Sequence, residues 1–294
     1  MSLEHSSALH SSLPAWQDLR PRDLWRLPLD ALARPLDRVA LRAAAALARR
    51  QVRTIEQWER VLPDRDPFIL VANHGSRRET VYLTAALMLA RGGRPVHFLA
   101  DWNFRLIPGV GYLYARTGAI TVTRKDARPR VLNRLKPWFL HETPALEQAR
   151  ARLLAGGSLA LFPEGTINRD PRRLLGGRCG AARLSLETGA PILPVGIRFL
   201  GSSEGTGRGA SGQPMSIHLG APLIPPLRTG TDSATGKASL ADVRAWHAEV
   251  MAAIATLCGK TWSPTAPPRA RPACGPVTFP TIEPRAIGPG GPPC

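Results

Sequence analysis

The chain has 294 residues, 44% of them hydrophobic, which is enough to bury the core of one large domain or two small ones. Its formal net charge of +17 favours an anionic partner, such as a membrane surface, a nucleic acid, an acidic carrier protein or a phosphorylated substrate. The four cysteines form no CxxC pair, so neither a zinc site nor a disulfide scaffold is expected. The opening residues are polar, which does not suit a signal peptide. No run reaches the ~18 apolar residues of a membrane span, so a spanning helix is not expected either.

Residues 1–60 are predicted to form an N-terminal segment, irregular over 1–22 and helical over 23–60. Apolar residues recur there at helical spacing, and so do four arginines: Leu36, Ala40, Ala43 and Leu47, and Arg38, Arg42, Arg49 and Arg53. An arginine stripe beside an apolar face is typical of an amphipathic helix lying on anionic lipid. It is equally typical of a packed helix with a solvated face, and the pattern does not separate the two.

Residues 61–260 are predicted to form one α/β domain, because short apolar runs alternate there with helical patterns. The predicted strands are 67–73, 96–100, 119–123, 158–162, 192–199 and 216–220. The predicted helices are 77–90, 144–155, 178–188 and 240–258. This alternation indicates a mostly parallel sheet flanked by helices. Residues 261–294 are rich in proline and glycine and are predicted to be a disordered tail.

The first candidate site is "NHGSRRE", which follows the first predicted strand of the domain. In open α/β sheets, sites form at the carboxyl ends of strands. A histidine there, oriented by a carboxylate, is a standard general base, so His74 and Glu79 are candidate partners. Alternatively, Ser76 and Glu79 have the spacing of a helix capping box, which places Glu79 without any catalytic role.

Two further stretches are compatible with ligand binding. "FPEGT" ends another predicted strand, where Gly165 permits a tight turn and Glu164 is either held at the strand end or solvated in an ordinary turn. Arg124 closes the strand 119–123 and begins a basic run that suits a phosphate group, although a basic solvated loop is the commoner outcome of such a run.

In this order and spacing, "NHGSRRE", "GYLYARTGAITVTR", "FPEGT" and "GAPILPVGI" resemble the glycerolipid acyltransferase family, the bacterial 1-acyl-glycerol-3-phosphate acyltransferases, over about residues 66–225. The resemblance implies that His74 is the catalytic base and that a carboxylate orients it. The residues that it implies for binding the acceptor are Arg124, Glu164, Gly165, Thr166 and Arg169.

The resemblance also implies the reaction and its setting. A fatty acyl group would move from acyl-CoA or acyl carrier protein to a lysophosphatidate-like acceptor in phospholipid biosynthesis. No metal or bound cofactor is expected, since the thioester is already activated. The protein is expected to be peripheral, at the cytoplasmic face of an anionic membrane. In that setting the amphipathic helix of residues 1–60 would face the membrane, with its arginine stripe on the anionic lipid. No nucleic-acid partner is expected, because neither a recognition motif nor an aromatic platform is present.

The chain departs from the family pattern at several positions. Glu79 stands where the family has aspartate, so the family pattern predicts that Glu79→Asp keeps or raises activity. Asp101 and Ile167 stand near positions where the family commonly has cations, and Thr123 replaces the aspartate before Arg124. Two alternative functions therefore stay open: acyl transfer to a lipid without a phosphate, and membrane binding by a catalytically impaired relative.

Overall fold

The structure is a computed structural model that describes residues 15–76, 78–123, 125–127, 129–201, 212–226 and 238–264. The strands are β1 Val52–Glu56, β2 Ile69–Ala72, β3 His97–Asp101, β4 Ile120–Val122, β5 Leu159–Leu161, β6 Ile192–Phe199 and β7 Met215–Leu219. The helices are α1 Pro21–Arg26, α2 Pro35–Gln51, α3 Arg78–Ala90, α4 Val110–Arg116, α5 Ala145–Leu154, α6 Gly180–Thr188 and α7 Leu240–Cys258. Short 3-10 helices include Trp102–Leu106 and Arg130–Phe139.

The seven strands form one sheet in the order β1-β7-β6-β2-β5-β3-β4. Among these neighbouring strands, only β6 and β7 pair in the antiparallel sense. The predicted α/β class with a mostly parallel sheet is therefore confirmed. Strand β5 lies between β2 and β3, so the loop that follows β5 emerges directly beside the loop that follows β2.

Helices cover both faces of the sheet, and each face has its own apolar core. Leu70 and Ala72 of β2 pack with α2 and α3, whereas Ile69 and Val71 pack with α5, α6 and α7. Because both faces are covered, β2 is buried along its whole length and has an uninterrupted apolar sequence. This is why the strands near the centre of the sheet could be recognised from the sequence.

The N-terminal segment differs from its prediction. The continuous helix expected over 23–60 is divided into α1, α2 and the strand β1. Pro35 occupies the first turn of α2, where its missing N–H has no helical partner to lose. Strand β1 was not predicted, because only Val52 and Ile55 of its five residues are buried. It pairs with β7, so residues 1–60 are joined to the sheet rather than lying apart from it.

The arginine stripe binds the protein's own main chain. Arg38, Arg42 and Arg49 donate to carbonyl oxygens within residues 17–32, at N···O distances of 2.5–3.3 Å. The fourth member, Arg53, lies in β1 instead of the helix. The three helical arginines thus attach the preceding chain to α2. The apolar row on the outer side of α2 is exposed, with Leu36 at 64% and Leu47 at 55%.

The packed chain extends slightly past residue 261, where the tail was predicted to begin. Thr261 donates its N–H to the Arg172 carbonyl at 2.8 Å, and Trp262 packs against the core formed by α5, α6 and α7. The remainder of the predicted tail, residues 265–294, lies outside the described residues.

These contacts allow a truncation test of the tail. Deleting residues 265–294 is expected to leave the melting temperature unchanged, because their composition provides little apolar surface to bury. Deleting residues 261–294 is expected to lower it by several degrees, since Trp262 then leaves the core and costs about 2 kcal/mol. Thermal unfolding followed by circular dichroism measures both. A large loss of stability in the shorter deletion would contradict the tail prediction.

Candidate active site

The His74 and Glu79 side chains meet at the carboxyl end of β2. Nδ1 of His74 lies 2.5 Å from Oε1 of Glu79. The Glu79 side chain is fully buried, whereas that of His74 is 12% exposed. The same carboxylate accepts the main-chain N–H of Gly75 at 2.8 Å and that of Ser76 at 3.0 Å. Glu79 is therefore held by three donors, one of which is the histidine.

Glu79 also completes the helix cap that the sequence suggested. The Ser76 hydroxyl accepts the N–H of Arg78 at 3.1 Å while Glu79 accepts the N–H of Ser76. These two bonds are a capping-box arrangement at the start of α3, except that the Ser76 hydroxyl accepts the N–H of the second helical position rather than that of the third. The capping role and the contact with His74 therefore occur together, and the same bonds that begin the helix hold the carboxylate against the imidazole.

The hydrogen bonds around Glu79 define which nitrogen of His74 is available for chemistry. Burial raises the pKa of Glu79, and the hydrogen bonds from His74, Ser76 and Gly75 oppose that rise. The main-chain N–H groups can only donate, so they match the ionised carboxylate. With Nδ1 donating to this carboxylate, Nε2 of the neutral imidazole keeps its lone pair and is the atom that can accept a proton.

Phe162 orients the imidazole from the neighbouring strand. The two rings are stacked, with centroids 4.3 Å apart and planes inclined by 17°. Phe162 follows the last residue of β5, and β5 pairs with β2 in parallel register. The sheet thus brings together two residues that are far apart in sequence, and the ring of His74 is fixed both by Glu79 and by this stacking.

Glu164 is buried at the same edge, and its carboxylate binds the chain on both sides of the site. It is 6% exposed. Oε1 accepts the N–H of His74 at 3.0 Å, and Oε2 accepts the side-chain amide of Asn168 at 2.7 Å and the N–H of Leu175 at 2.9 Å. The solvated-turn alternative for Glu164 is therefore wrong. Its carboxylate positions the main chain of His74, and its contact with an acceptor stays a prediction.

Asn168 is a positioning residue that the sequence analysis missed. Its side-chain amide donates to Glu164 and to the Arg173 carbonyl, both at 2.7 Å, and its oxygen accepts the N–H of Asp170 at 2.9 Å. Its own N–H donates to the His74 carbonyl at 2.7 Å. No sequence signal marked it, because an asparagine after a turn usually serves only the turn itself.

Gly165 is required for two reasons, and the second identifies another residue near the site. Its φ of +64° is favourable only for glycine. A Cβ atom there would also lie 2.8 Å from Nε of Arg178, whose side chain crosses the turn. Arg178 was not singled out in the sequence, although it is the first residue of the predicted helix 178–188. Thr166 is partly buried, and Arg169 is exposed on the same loop.

Arg124, predicted to bind the acceptor, lies outside the described residues. The strand before it, β4, ends at Val122, and β3 and β5 separate that strand from β2. Within the described residues, no group of three or more His, Cys, Asp or Glu side chains could hold a metal ion. The described helices also include none that is long and apolar enough to cross a bilayer.

Comparisons with known proteins agree on one family. The family model described as Acyltransferase matches residues 49–198, about half of the chain. The chain is 28% identical over 148 residues to the chloroplastic 1-acyl-sn-glycerol-3-phosphate acyltransferase LPAT1 of Arabidopsis thaliana. That match covers 50% of this chain but only 36% of the plant protein, so the chain spans about a third of that relative.

A solved structure is also similar. It is the crystal structure of the 1-acyl-sn-glycerophosphate (LPA) acyltransferase PlsC from Thermotoga maritima, with 23% sequence identity and a TM-score of 0.48. The match covers 79% of this chain and 86% of that one.

Proposed function

The chain belongs to the acyltransferase family, and on that premise we propose that it moves a fatty acyl group from an acyl thioester to a lysophosphatidate-like acceptor. The observation that carries the proposal is the pair formed by His74 and Glu79 at the carboxyl edge of the sheet, with a 2.5 Å contact between them. The activity for which the plant relative is named supports this acceptor, as does the order of motifs in the sequence.

In the proposed reaction, Nε2 of His74 takes the proton from an acceptor hydroxyl as its oxygen attacks the thioester carbonyl carbon. The carbon–sulfur bond then breaks, and the thiolate leaves with the proton that the imidazolium returns. Glu79 stabilises the imidazolium between these two steps and keeps its Nδ1 proton in place. The products are an ester and a free thiol, and no redox partner or metal is needed.

Glu164 and Asn168 support this step without taking part in proton transfer. Together they bind the N–H and the carbonyl of His74, so the main chain of the base is held on both sides. General-base catalysis depends on such positioning, because a displacement of about 1 Å can reduce the rate about 10²-fold. The buried Glu164 network therefore supports a site that is preorganised for catalysis rather than one that has decayed.

The acceptor's phosphate would be bound by arginines on the loops that follow the strands. Arg169 is exposed after "FPEGT", and Arg178 crosses Gly165 next to the Glu164 network. Arg124 would join them, as the family resemblance implies. A guanidinium binds phosphate through two parallel hydrogen bonds, so these residues would replace the cations that are missing at Asp101 and Ile167.

This assignment predicts a change in acceptor affinity. Arg124→Ala, Arg169→Ala and Arg178→Ala are each expected to raise the acceptor KM by about 10–100-fold, because each removes charge-assisted hydrogen bonds worth roughly 1.5–3 kcal/mol. The donor KM is expected to stay within experimental error. Steady-state kinetics with lysophosphatidate measure both constants. Arg150→Ala is the matched control, since it removes one exposed arginine from α5.

A substrate panel decides between this proposal and the alternatives. The purified full chain is offered acyl-CoA or acyl carrier protein together with lysophosphatidate, glycerol phosphate or lyso-aminolipids, and ester or amide products are measured by mass spectrometry. Turnover of lysophosphatidate supports the proposal. Turnover only of acceptors without a phosphate would reassign the substrate. Liposome binding without any turnover would indicate a catalytically impaired relative.

We further propose that the protein acts as a peripheral protein at the cytoplasmic face of an anionic membrane, where the acceptor resides. Two observations support this setting. The net charge of +17 favours anionic lipid. The outer side of α2 exposes an apolar row that includes Leu36, Val39 and Leu47. The arginines that were expected to contact lipid are instead largely engaged with the main chain.

A further inference from the structure

The strongest exposed apolar feature near the site is the stretch between β4 and α5. We define residues 130–140 as the 130–140 segment; most of it is a 3-10 helix, Arg130–Phe139. Trp138 is 80% exposed, Val131 is 61% exposed and Leu140 is 59% exposed. Within the described part of the chain, no other large apolar side chain is as exposed as Trp138. Three such side chains within eleven residues point to a surface that a partner covers.

The segment is held in place by specific contacts. The ring of Phe139 packs against Trp102, with centroids 5.7 Å apart. Trp102 is completely buried, and its indole N–H donates to the Lys125 carbonyl at 2.8 Å. Phe139 thus packs inward, whereas its neighbours Trp138 and Leu140 are exposed. Their exposure is therefore built into the packing of the segment.

Two polar contacts attach the same segment to the residues that precede it. Lys136 forms an ion pair with Asp126 at 3.1 Å. The Asn133 side chain accepts the N–H of Ala127 at 2.7 Å. These contacts attach the segment to residues 126 and 127, and none of them involves the three exposed apolar residues. The segment therefore has the two-sided character of an interfacial element.

The segment lies at the end of the sheet that carries the candidate site. Trp102 directly follows β3, and β3 pairs in parallel with β5, the strand that precedes Phe162. The ring of Phe98, within β3, also contacts Phe162 at 6.2 Å between centroids. A partner that covers the 130–140 segment would thus be held beside the edge from which His74 receives its substrates.

The charges around the segment indicate what that partner is. Residues 125–140 contain five basic residues and one acidic residue. Arg130 and Arg134 are exposed, and Asp126 already pairs with Lys136. Tryptophan, leucine and valine beside arginines match the boundary between acyl chains and anionic headgroups, where an indole ring is favoured. An acidic protein surface would match the charges, but the charges alone would not account for the exposed apolar side chains.

We propose that the 130–140 segment inserts Val131, Trp138 and Leu140 into an anionic phospholipid surface and holds the site against it. This contact would act together with the apolar row of α2. Tyr112 of α4, which is 38% exposed, donates to Asp37 of α2 at 2.5 Å and so attaches α4 to the helix that carries this row. The inference rests on the proposed function only in taking the acceptor to be a membrane lipid.

The test uses the full chain with all three apolar residues replaced: Val131→Ser, Trp138→Ser and Leu140→Ser. Binding is measured by flotation with vesicles of phosphatidylcholine, with and without phosphatidylglycerol. We expect the triple variant to lose at least about tenfold in partition into vesicles that contain phosphatidylglycerol, because three apolar side chains no longer leave water. The control replaces three apolar residues of similar exposure elsewhere, Leu154→Ser, Ile224→Ser and Leu240→Ser, and is expected to bind like the unaltered chain.

Two further measurements separate this inference from the proposed activity. Acyl transfer to a water-soluble short-chain lysophosphatidate is expected to be unchanged in the triple variant, whereas transfer to the same headgroup in vesicles is expected to fall. If the chain shows no acyl transfer at all, flotation still decides the inference. Tryptophan fluorescence is also expected to be quenched by brominated phosphatidylcholine, and Trp138→Phe is expected to remove most of that quenching.

The opposite results would overturn the inference. Vesicle partition of the triple variant equal to that of the unaltered chain would exclude insertion by this segment. Unchanged vesicle partition together with weaker binding to purified acyl carrier protein would assign the surface to the carrier protein instead. If the triple variant does not fold, the single substitution Trp138→Ser replaces it, and equal partition of that variant would equally overturn the proposal.

Discussion

Replacing His74 with alanine is expected to lower kcat for acyl transfer by about 10⁴-fold, near the limit of detection. The reason is that Nε2 of His74 is the proposed acceptor of the hydroxyl proton, and general-base catalysis contributes about 10²–10⁴-fold. Stopped assays with labelled acyl-CoA and lysophosphatidate measure the change. Substrate binding is expected to persist, because the proposed phosphate contacts are made by arginines.

Matched variants exclude a loss of fold as the cause. His141 is exposed and outside the site, so His141→Ala is expected to keep full activity. His74→Gln retains most of the side-chain volume beside Phe162, and its melting temperature is expected to stay near that of the unaltered chain. Both His74 variants are expected to be inactive to a similar degree. Normal turnover by a folded His74→Ala protein would exclude His74 as the base.

The second large effect is expected for Glu79→Gln, which should reduce kcat/KM by about 10²–10⁴-fold. The amide removes the negative charge beside the imidazole, and its NH₂ group opposes one of the main-chain N–H donors at Gly75 and Ser76. Kinetics and thermal unfolding are measured together. A large fall in kcat/KM in a variant that is still folded at the assay temperature identifies Glu79 as a positioning residue. A purely structural cap would lower only the melting temperature.

The pH profile provides a readout that capping does not affect. Burial raises the pKa of Glu79, so protonation of this carboxylate as the pH falls is expected to contribute to the acid limb of kcat/KM, and Glu79→Gln is expected to lose that contribution. Ser76→Ala removes the other half of the capping box but leaves the carboxylate in contact with His74. It is therefore expected to reduce stability with the pH profile unchanged. An unaltered acid limb in Glu79→Gln would argue against coupling between the two side chains.

The geometry reverses the expectation that the family pattern gives for Glu79→Asp. Oε1 of Glu79 already lies 2.5 Å from His74, so the longer side chain fits this site. Aspartate would withdraw the carboxylate by more than about an ångström, a displacement that can cost about 10²-fold. We therefore expect Glu79→Asp to be less active than the unaltered chain and more active than Glu79→Gln. Equal or higher activity would show that the helix start adjusts.

The contacts between His74 and Glu79 could be anticipated because they are local. Both residues flank the start of α3, and the geometry of a helix start brings residues a few positions apart into contact. The strands at the centre of the sheet could be predicted for a similar reason, since burial on both faces leaves an uninterrupted apolar run such as Ile69–Ala72. Strand β1 escaped prediction because it is short and half-exposed.

The positions of Glu164 and Phe162 could not be read from the sequence, since their contacts with His74 depend on the register between β2 and β5. The same holds for the arginines of α2, whose partners are carbonyl groups of a chain segment that folds back on the helix. The 130–140 segment is a third case. Its apolar residues Leu132, Leu135 and Phe139 recur at helical spacing, but that spacing does not show that Trp138 and Leu140 stay exposed.

The sequence by itself determined the α/β class, the order of the motifs and the local pair of His74 and Glu79. All of these follow from side-chain periodicity and short spacings, which are properties of a few consecutive residues. Only the tertiary structure decided that Glu164 and Asn168 hold the main chain of the base, and that Trp138, the most exposed large apolar side chain of the described residues, lies between β4 and α5. Those outcomes depend on which distant segments meet, and that is set by the packing of the whole sheet rather than by any single stretch of the chain.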